Sequence, residues 1–137
     1  MIFFPPLVLI LNGIIFTALG LWSLWLPEAI AESVSLELPA SDSRIEISAM
    51  YGGLELIFGL YFLYAAFQRK TMREGLKVGI FLCLGLAMGR AIGLVRYWPD
   101  EPGWMLSLLM TESVLVLLGL IALRILTQYS TNSSTPL

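Results

Sequence analysis

The chain has no histidine, one cysteine and, over 137 residues, only 13% charged side chains. Without imidazole there is no His-ligated haem, no His-containing zinc or di-iron site, and no Ser-His-Asp or Cys-His apparatus. The lone cysteine, Cys83, lies in an apolar run. It cannot form an intrachain disulfide, and it leaves the redox compartment open. The net charge of −2 says nothing about nucleic acid, but there is no basic stripe to track a phosphate backbone, so no nucleic acid is expected as a partner. No glycine-rich phosphate loop stands between a strand and a helix; the glycines fall inside hydrophobic stretches. These absences predict no metal, no cofactor and no catalytic residue.

What the chain has in excess is apolar surface. Hydrophobic residues make up 58% of it, where a soluble domain holds roughly 45–50%. A soluble protein of this size cannot hide that much apolar surface, whereas lipid can. Four stretches, 7–26, 47–67, 75–95 and 104–126, each supply the roughly 20 helical residues that cross a hydrocarbon core of about 30 Å. The predicted fold class is all-α, an integral membrane four-helix bundle. It forms one transmembrane domain over 1–127, with an outer loop at 27–46 and a polar, flexible tail at 128–137. Ala29-Ile30-Ala31 has the form of a signal-peptide cleavage site, but no basic segment precedes it and the apolar run is too long. The first stretch is therefore read as a retained span.

Helix starts are predicted from capping patterns. Ser43-Arg44-Ile45-Glu46 and Thr71-Met72-Arg73-Glu74 both have the spacing of a capping box, and Asp100 with Pro102 precedes the fourth span. In the outer segment Leu26, Ile30 and Val34 recur every four residues after Pro27. That fits a short amphipathic helix on the outer surface, and an acidic solvated loop fits equally well. Arg69, Lys70, Arg73 and Lys77 concentrate between the second and third spans. By the positive-inside rule this turn and both termini are cytoplasmic. Trp22, Trp25, Trp98 and Trp104 then collect at the opposite interface as an aromatic belt.

Helices in lipid approach closely through small residues. In the third span Gly75, Gly79, Cys83 and Ala87 form one ridge, and Gly85, Gly89 and Gly93 form another, nearly opposite at 100° per residue. A helix small on two sides is predicted to pack on two sides. Gly52 and Gly59, with Ser48, offer a matching face in the second span, and Gly13, Thr17 and Gly20 in the first.

Three ionisable residues lie deep in these spans: Glu55, Arg90 and Glu112. They stand eight, six and eight residues from the outer boundaries Ile47, Arg96 and Trp104. That corresponds to roughly 12, 9 and 12 Å below the outer hydrocarbon surface at 1.5 Å per residue. A lone charge there costs about 2.5–3.5 kcal/mol by insertion scales, so the three are predicted to turn inward and pair. Arg90 is expected to meet Glu55, Glu112 or both, with a carboxylate left over turning to a polar neighbour such as Tyr51. Glu55, Arg90, Glu112 and Tyr51 are thus the candidates for a ligand, partner or proton site. The same cluster also suits a purely structural role in helix register.

From Ala49 to Leu123 the chain resembles a family of small four-helix bacterial membrane proteins catalogued only as a domain of unknown function. The matching residues are Tyr51-Gly52-Gly53-Leu54-Glu55 with Gly59, then Gly89-Arg90 with Gly93, then Glu112. More loosely, the layout is similar to the DoxX-type four-helix bundles. The resemblance implies a bacterial inner-membrane location and marks these positions as the family's signature. It carries no activity.

Three functions fit these residues. The first is a non-catalytic binding or accessory subunit that docks a membrane-protein partner, a second copy of itself or a small amphipathic ligand such as a lipid or quinone. The second is a small proton-coupled transporter or channel using the intramembrane glutamates. The third is a lipid- or quinone-modifying membrane enzyme with glutamates as acid and base. The lack of metal ligands and of any nucleophile motif favours the first.

Overall fold

A computed structural model describes residues 3–100 and 102–132. They form six α-helices and one π-helical segment: α1 Phe4–Trp25, α2 Pro27–Ser33, α3 Ser41–Ile47, the π segment Ser48–Leu54, α4 Glu55–Phe67, α5 Arg69–Arg96 and α6 Gly103–Asn132. No strand occurs among the described residues. Four helical runs are long and apolar enough to cross a membrane: Phe4–Trp25, Ser41–Phe67 (α3, the π segment and α4 end to end), Arg69–Arg96 and Gly103–Tyr129. The chain is therefore all-α, and its apolar residues are apportioned as in a membrane protein.

Two compact units are distinguishable, Ile10–Tyr64 on the one hand and Met1–Leu9 with Ala65–Leu137 on the other. In the first, α1 and the helix from the π segment through α4 run antiparallel at very short range. A Cβ added to Gly13 would lie 2.6 Å from Leu63 Cγ, and one added to Gly20 would lie 2.7 Å from the Leu56 Cα and 2.9 Å from the Gly52 carbonyl. One added to Gly59 would collide with the Thr17 backbone, and one added to Gly52 would lie 2.7 Å from Leu24 Cδ2. These four rungs explain why small residues recur on both helices: each glycine admits the other helix's backbone or branch point. Phe62, fully buried, packs edge-on against Phe16 with ring centroids 5.7 Å apart.

The π segment alters the face that the 3.6-residue period assigns. Ile47 and Gly52 are both buried, five residues apart. In an α-helix that spacing leaves side chains about 140° apart, whereas the i→i+5 turn of a π-helix brings them into line. Ser48, predicted to share the face of Gly52, is only half-buried. Ile47 takes its place.

Between α1 and α3 the chain forms a helix and then a loop. Pro27 both stops α1 and opens α2. α2 ends at Ser35, which has φ 56°; its N–H donates to the Glu32 carbonyl (3.0 Å) and the Leu36 N–H to the Ala31 carbonyl (2.8 Å). That is a Schellman stop with serine where glycine usually stands. Ile30 and Ala31, members of the apparent cleavage motif, are buried within α2. Arg44 reaches back to Glu28 at 2.8 Å across an exposed surface, a contact that contributes little to stability.

Neither predicted capping box forms. α3 begins at Ser41, so Ser43 is already inside the helix, and α5 begins at Arg69 after the single extended residue Gln68. The Thr71 hydroxyl donates to the Gln68 carbonyl at 3.1 Å instead of capping, and Glu74 pairs with Lys77 at 2.8 Å. The second and third spans are thus joined by one residue, which leaves no room for a cap at Thr71. α6 runs through Gln128 to Asn132, so the first half of the predicted tail is helical, and 133–137 lie outside the described residues.

In the second unit α5 and α6 form an antiparallel pair. Arg73 donates to the Thr127 hydroxyl at 3.1 Å, a Cβ on Gly119 would lie 2.7 Å from Ile80 Cγ1, and Arg90 meets Glu112 at the far end. α5 buries Met72, Gly75, Leu76, Gly79, Ile80, Cys83, Ala87 and Leu94, one stripe at three- and four-residue spacing. A Cβ on Gly75 would lie 2.6 Å from that of Ala65. The other ridge of α5 is different. Gly85, Gly89 and Gly93, predicted to pack, have nothing within 4 Å of an added Cβ. Two-sided packing of this span is not what the helices do: one ridge fills, and the other lies open. Gly89→Leu is therefore expected to cost nothing and to gain up to about 1 kcal/mol from helix propensity, read by titrating the protein from mixed micelles with SDS. A loss of stability would mean that this face is covered.

Candidate functional site

A tightly bonded pair of charges deep within the spans joins α5 to α6. Arg90 is half-buried and Glu112 is 8% exposed. The Arg90 Nε donates to both Glu112 oxygens (3.3 and 3.2 Å), and Nη2 donates to Oε1 at 2.7 Å. Nη1 donates to the Met105 sulfur at 3.5 Å. The antiparallel register delivers this contact. With Arg73 beside Thr127 and Ile80 beside Gly119, the next rungs outward bring position 90 level with 112. Removing one partner would strand a charge in an apolar setting, a change that costs about 3–5 kcal/mol in buried pairs generally.

Beyond the pair, toward the α5–α6 turn, lies a cavity of about 340 Å³ lined by Arg90, Gly93, Leu94, Tyr97, Pro99 and Met105. Its shape follows from local structure. α5 ends where the Tyr97 N–H closes on the Gly93 carbonyl (2.8 Å), Pro99 prevents the helix from continuing, and Gly93 contributes no side chain to the space. The Arg96 guanidinium lies 5.1 Å from the Tyr97 ring centre, a cation–π contact that holds the phenol. Gly93 therefore serves as bare wall beside a cavity, where the spacing predicted a helix contact.

A guanidinium has five N–H donors. Within this helix pair three are engaged, by Glu112 and Met105, which leaves two beside the cavity that Arg90 lines. The arrangement is a donor-bearing, charge-compensated head site with apolar walls. Among the described residues no group of three or more His, Cys, Asp or Glu side chains comes together.

The other predicted site residues are distributed as follows. Glu55 belongs to the unit Ile10–Tyr64 and opens α4 at the end of the π segment, half-buried. Tyr51 sits in the π segment and is 44% exposed, so it is not the buried polar neighbour expected for a carboxylate; the wider π turn swings it outward. Gly52 and Gly59 contact α1. Sequence reasoning passed over Asn12 and Ser23, which are 4% and 0% exposed on α1. Asn12 is the only amide in that stretch, a signal that could have flagged it. The Ser23 and Thr17 hydroxyls are buried without a hydrogen-bond partner.

A second concavity, of about 530 Å³, lies on the outer segment among Glu28, Glu32, Glu37, Arg44 and their neighbours. Its acidic residues are solvated and one is tied to Arg44, so it lacks the burial that makes the Arg90 site distinctive.

No curated protein and no solved structure matches the chain. One family does. The profile described as Domain of unknown function (DUF4345) matches residues 6–123, so the similarity begins well before Ala49 and takes in α1 and the outer segment together with Arg90, Glu112 and the cavity. The chain belongs to the family described as Domain of unknown function DUF4345.

Proposed function

We propose that this chain is a non-catalytic binding protein of the bacterial inner membrane. It holds a small amphipathic molecule, a lipid or quinone, beside the Arg90–Glu112 pair, and does so alone, as a homo-oligomer or as the accessory subunit of a membrane-protein partner. The supporting observation is the 340 Å³ cavity with a paired guanidinium at its inner end, within the roughly 300–1,000 Å³ range of small-molecule sites. A head group can rest against Arg90 while its chain runs along the same face of α5, where the exposed Leu86 lies one turn deeper. Proton carriage or acid–base catalysis by Glu112 draws less support, because that carboxylate is already held by three bonds from Arg90.

Native mass spectrometry of the gently extracted protein is the direct test. The wild type is expected to carry a small-molecule adduct. Met105→Trp, which intrudes on the cavity, is expected to lose it while remaining folded. An adduct that survives Met105→Trp would place the binding elsewhere.

The proposed orientation has both termini and the Arg69–Lys77 turn in the cytoplasm, on the strength of the basic residues in that turn. The exposed tryptophans Trp22, Trp25, Trp98 and Trp104 then belong to the outer interface. On a Cys83→Ser background, a membrane-impermeant maleimide should label a cysteine placed at Ser41 in intact cells and spare one placed at Thr71. The reverse pattern would invert the topology.

A further inference from the structure

We infer that the Arg90 cavity selects an uncharged head group carrying carbonyl or ester oxygens and discriminates against an anionic one. This rests on the reading of the cavity as an amphiphile site and concerns which chemistry that site accepts.

An unpaired arginine in an apolar wall is the usual device for capturing phosphate or carboxylate. Here Glu112 holds Arg90 through three contacts, the shortest 2.7 Å, so the head of the site has no net charge. An incoming anion would approach a carboxylate as well as a guanidinium, and like charges side by side in an apolar setting repel. Among the described residues no other cation lines the cavity, since Arg96 lies on the Tyr97 ring and takes no part in the walls.

Hydrogen-bonding capacity points the same way. The lining is mostly apolar; of its polar side chains, Arg90 can only donate, and the Tyr97 hydroxyl can donate or accept. Their only acceptors are the Tyr97 oxygen and the Met105 sulfur, and that sulfur is a weak acceptor already facing Arg90. The remaining walls, Gly93, Leu94 and Pro99, offer no polar side-chain group. A mostly apolar site whose charged group is a compensated guanidinium, able to donate and unable to accept, is complementary to oxygens that accept and carry no charge. A glyceride ester and a quinone ring carbonyl share that chemistry.

The test uses the full chain in an uncharged detergent. Three probes are compared by ligand-induced thermal shift: dioctanoylglycerol, dioctanoyl phosphatidate with the same tails, and a decyl-substituted benzoquinone. At least one neutral probe is expected to bind about tenfold or more tighter than phosphatidate, reflecting the like-charge penalty. Which of the two neutral probes binds tighter identifies the source of the carbonyl. Glu112→Gln, which uncovers the Arg90 charge, is expected to narrow or reverse the preference. Phosphatidate binding tightest to the wild type would overturn the inference while leaving the cavity reading intact. If Met105→Trp fails to weaken any probe, or none binds the wild type, the cavity reading itself falls and the inference with it. Should Glu112→Gln prove too unstable to handle, the wild-type ranking alone decides.

Discussion

Gly59→Leu should be the most damaging single change in this chain. A Cβ at position 59 already collides with the Thr17 backbone and would lie 2.9 Å from the Thr17 Cα, and Gly59 is buried. The obstacle is main chain, so no rotamer change on the partner can relieve it; α1 and α4 must move apart. Forced methylenes in packed cores typically cost about 1–3 kcal/mol, occasionally more, and a clash with backbone belongs at or above the top of that range. Gly20→Leu should behave alike, because its added Cβ meets Leu56 and the Gly52 carbonyl. The measurement is unfolding in mixed micelles titrated with SDS. Wild-type stability in Gly59→Leu would mean that α1 and α4 are not in backbone contact.

The second large effect concerns the paired charges. Arg90→Met alone is expected to lose about 3–5 kcal/mol, because it leaves the Glu112 carboxyl, 8% exposed, in an apolar setting without its cation. Glu112→Met alone should cost less, since Arg90 is the more exposed partner, with 23% of its side chain accessible against 10% for Glu112. The double variant should regain most of the loss, because replacing both members of a buried pair with apolar groups is often neutral or stabilising. A double-mutant cycle then isolates the coupling between the two positions. Adduct retention should follow a different pattern, absent from Arg90→Met and from the double variant alike, whatever their stability. If the double variant is stable and still retains the adduct, the pair serves only to hold α5 against α6.

Those two predictions rest on information of different origin. That Arg90 would meet a glutamate was legible in the amino-acid order. Counting residues inward from Arg96 and Trp104 put positions 90 and 112 at similar depth, and a charge in lipid has strong reason to find its opposite. That Gly59 would be intolerant was only half legible. Small-residue spacing marked Gly52 and Gly59, but it marked Gly85, Gly89 and Gly93 just as clearly, and those three have nothing beside them. In water, hydrophobicity separates a core face from a solvent face. In lipid both faces are apolar, and spacing alone does not tell a packed ridge from an open one.

The helix starts failed for a related reason. A capping box is a local pattern, and both Ser43 and Thr71 satisfied it. The actual starts at Ser41 and Arg69 follow from where the preceding segment ends and how tightly the chain must turn. Only one residue, Gln68, separates α4 from α5. A turn that short is decided by the two helices it joins, and no residue type within it announces the outcome.

The amino-acid sequence by itself determined the class of the protein. Runs of about 20 apolar residues can satisfy their backbone polar groups in lipid only as helices, so four spans and an all-α chain were settled by composition and length. The cost of a lone charge in lipid gave Arg90 reason to meet a glutamate and left open whether Glu55 or Glu112 would supply it. Tertiary structure decided the rest. The π segment Ser48–Leu54 accompanies the burial of both Ile47 and Gly52, five residues apart, a combination no local propensity expresses. The cavity beside Arg90 arises where α5 stops at Tyr97, Pro99 diverts the chain and Met105 faces it from α6. Its walls come from two helices and the turn between them, and empty space between elements is a property of their placement, which a one-dimensional pattern does not encode.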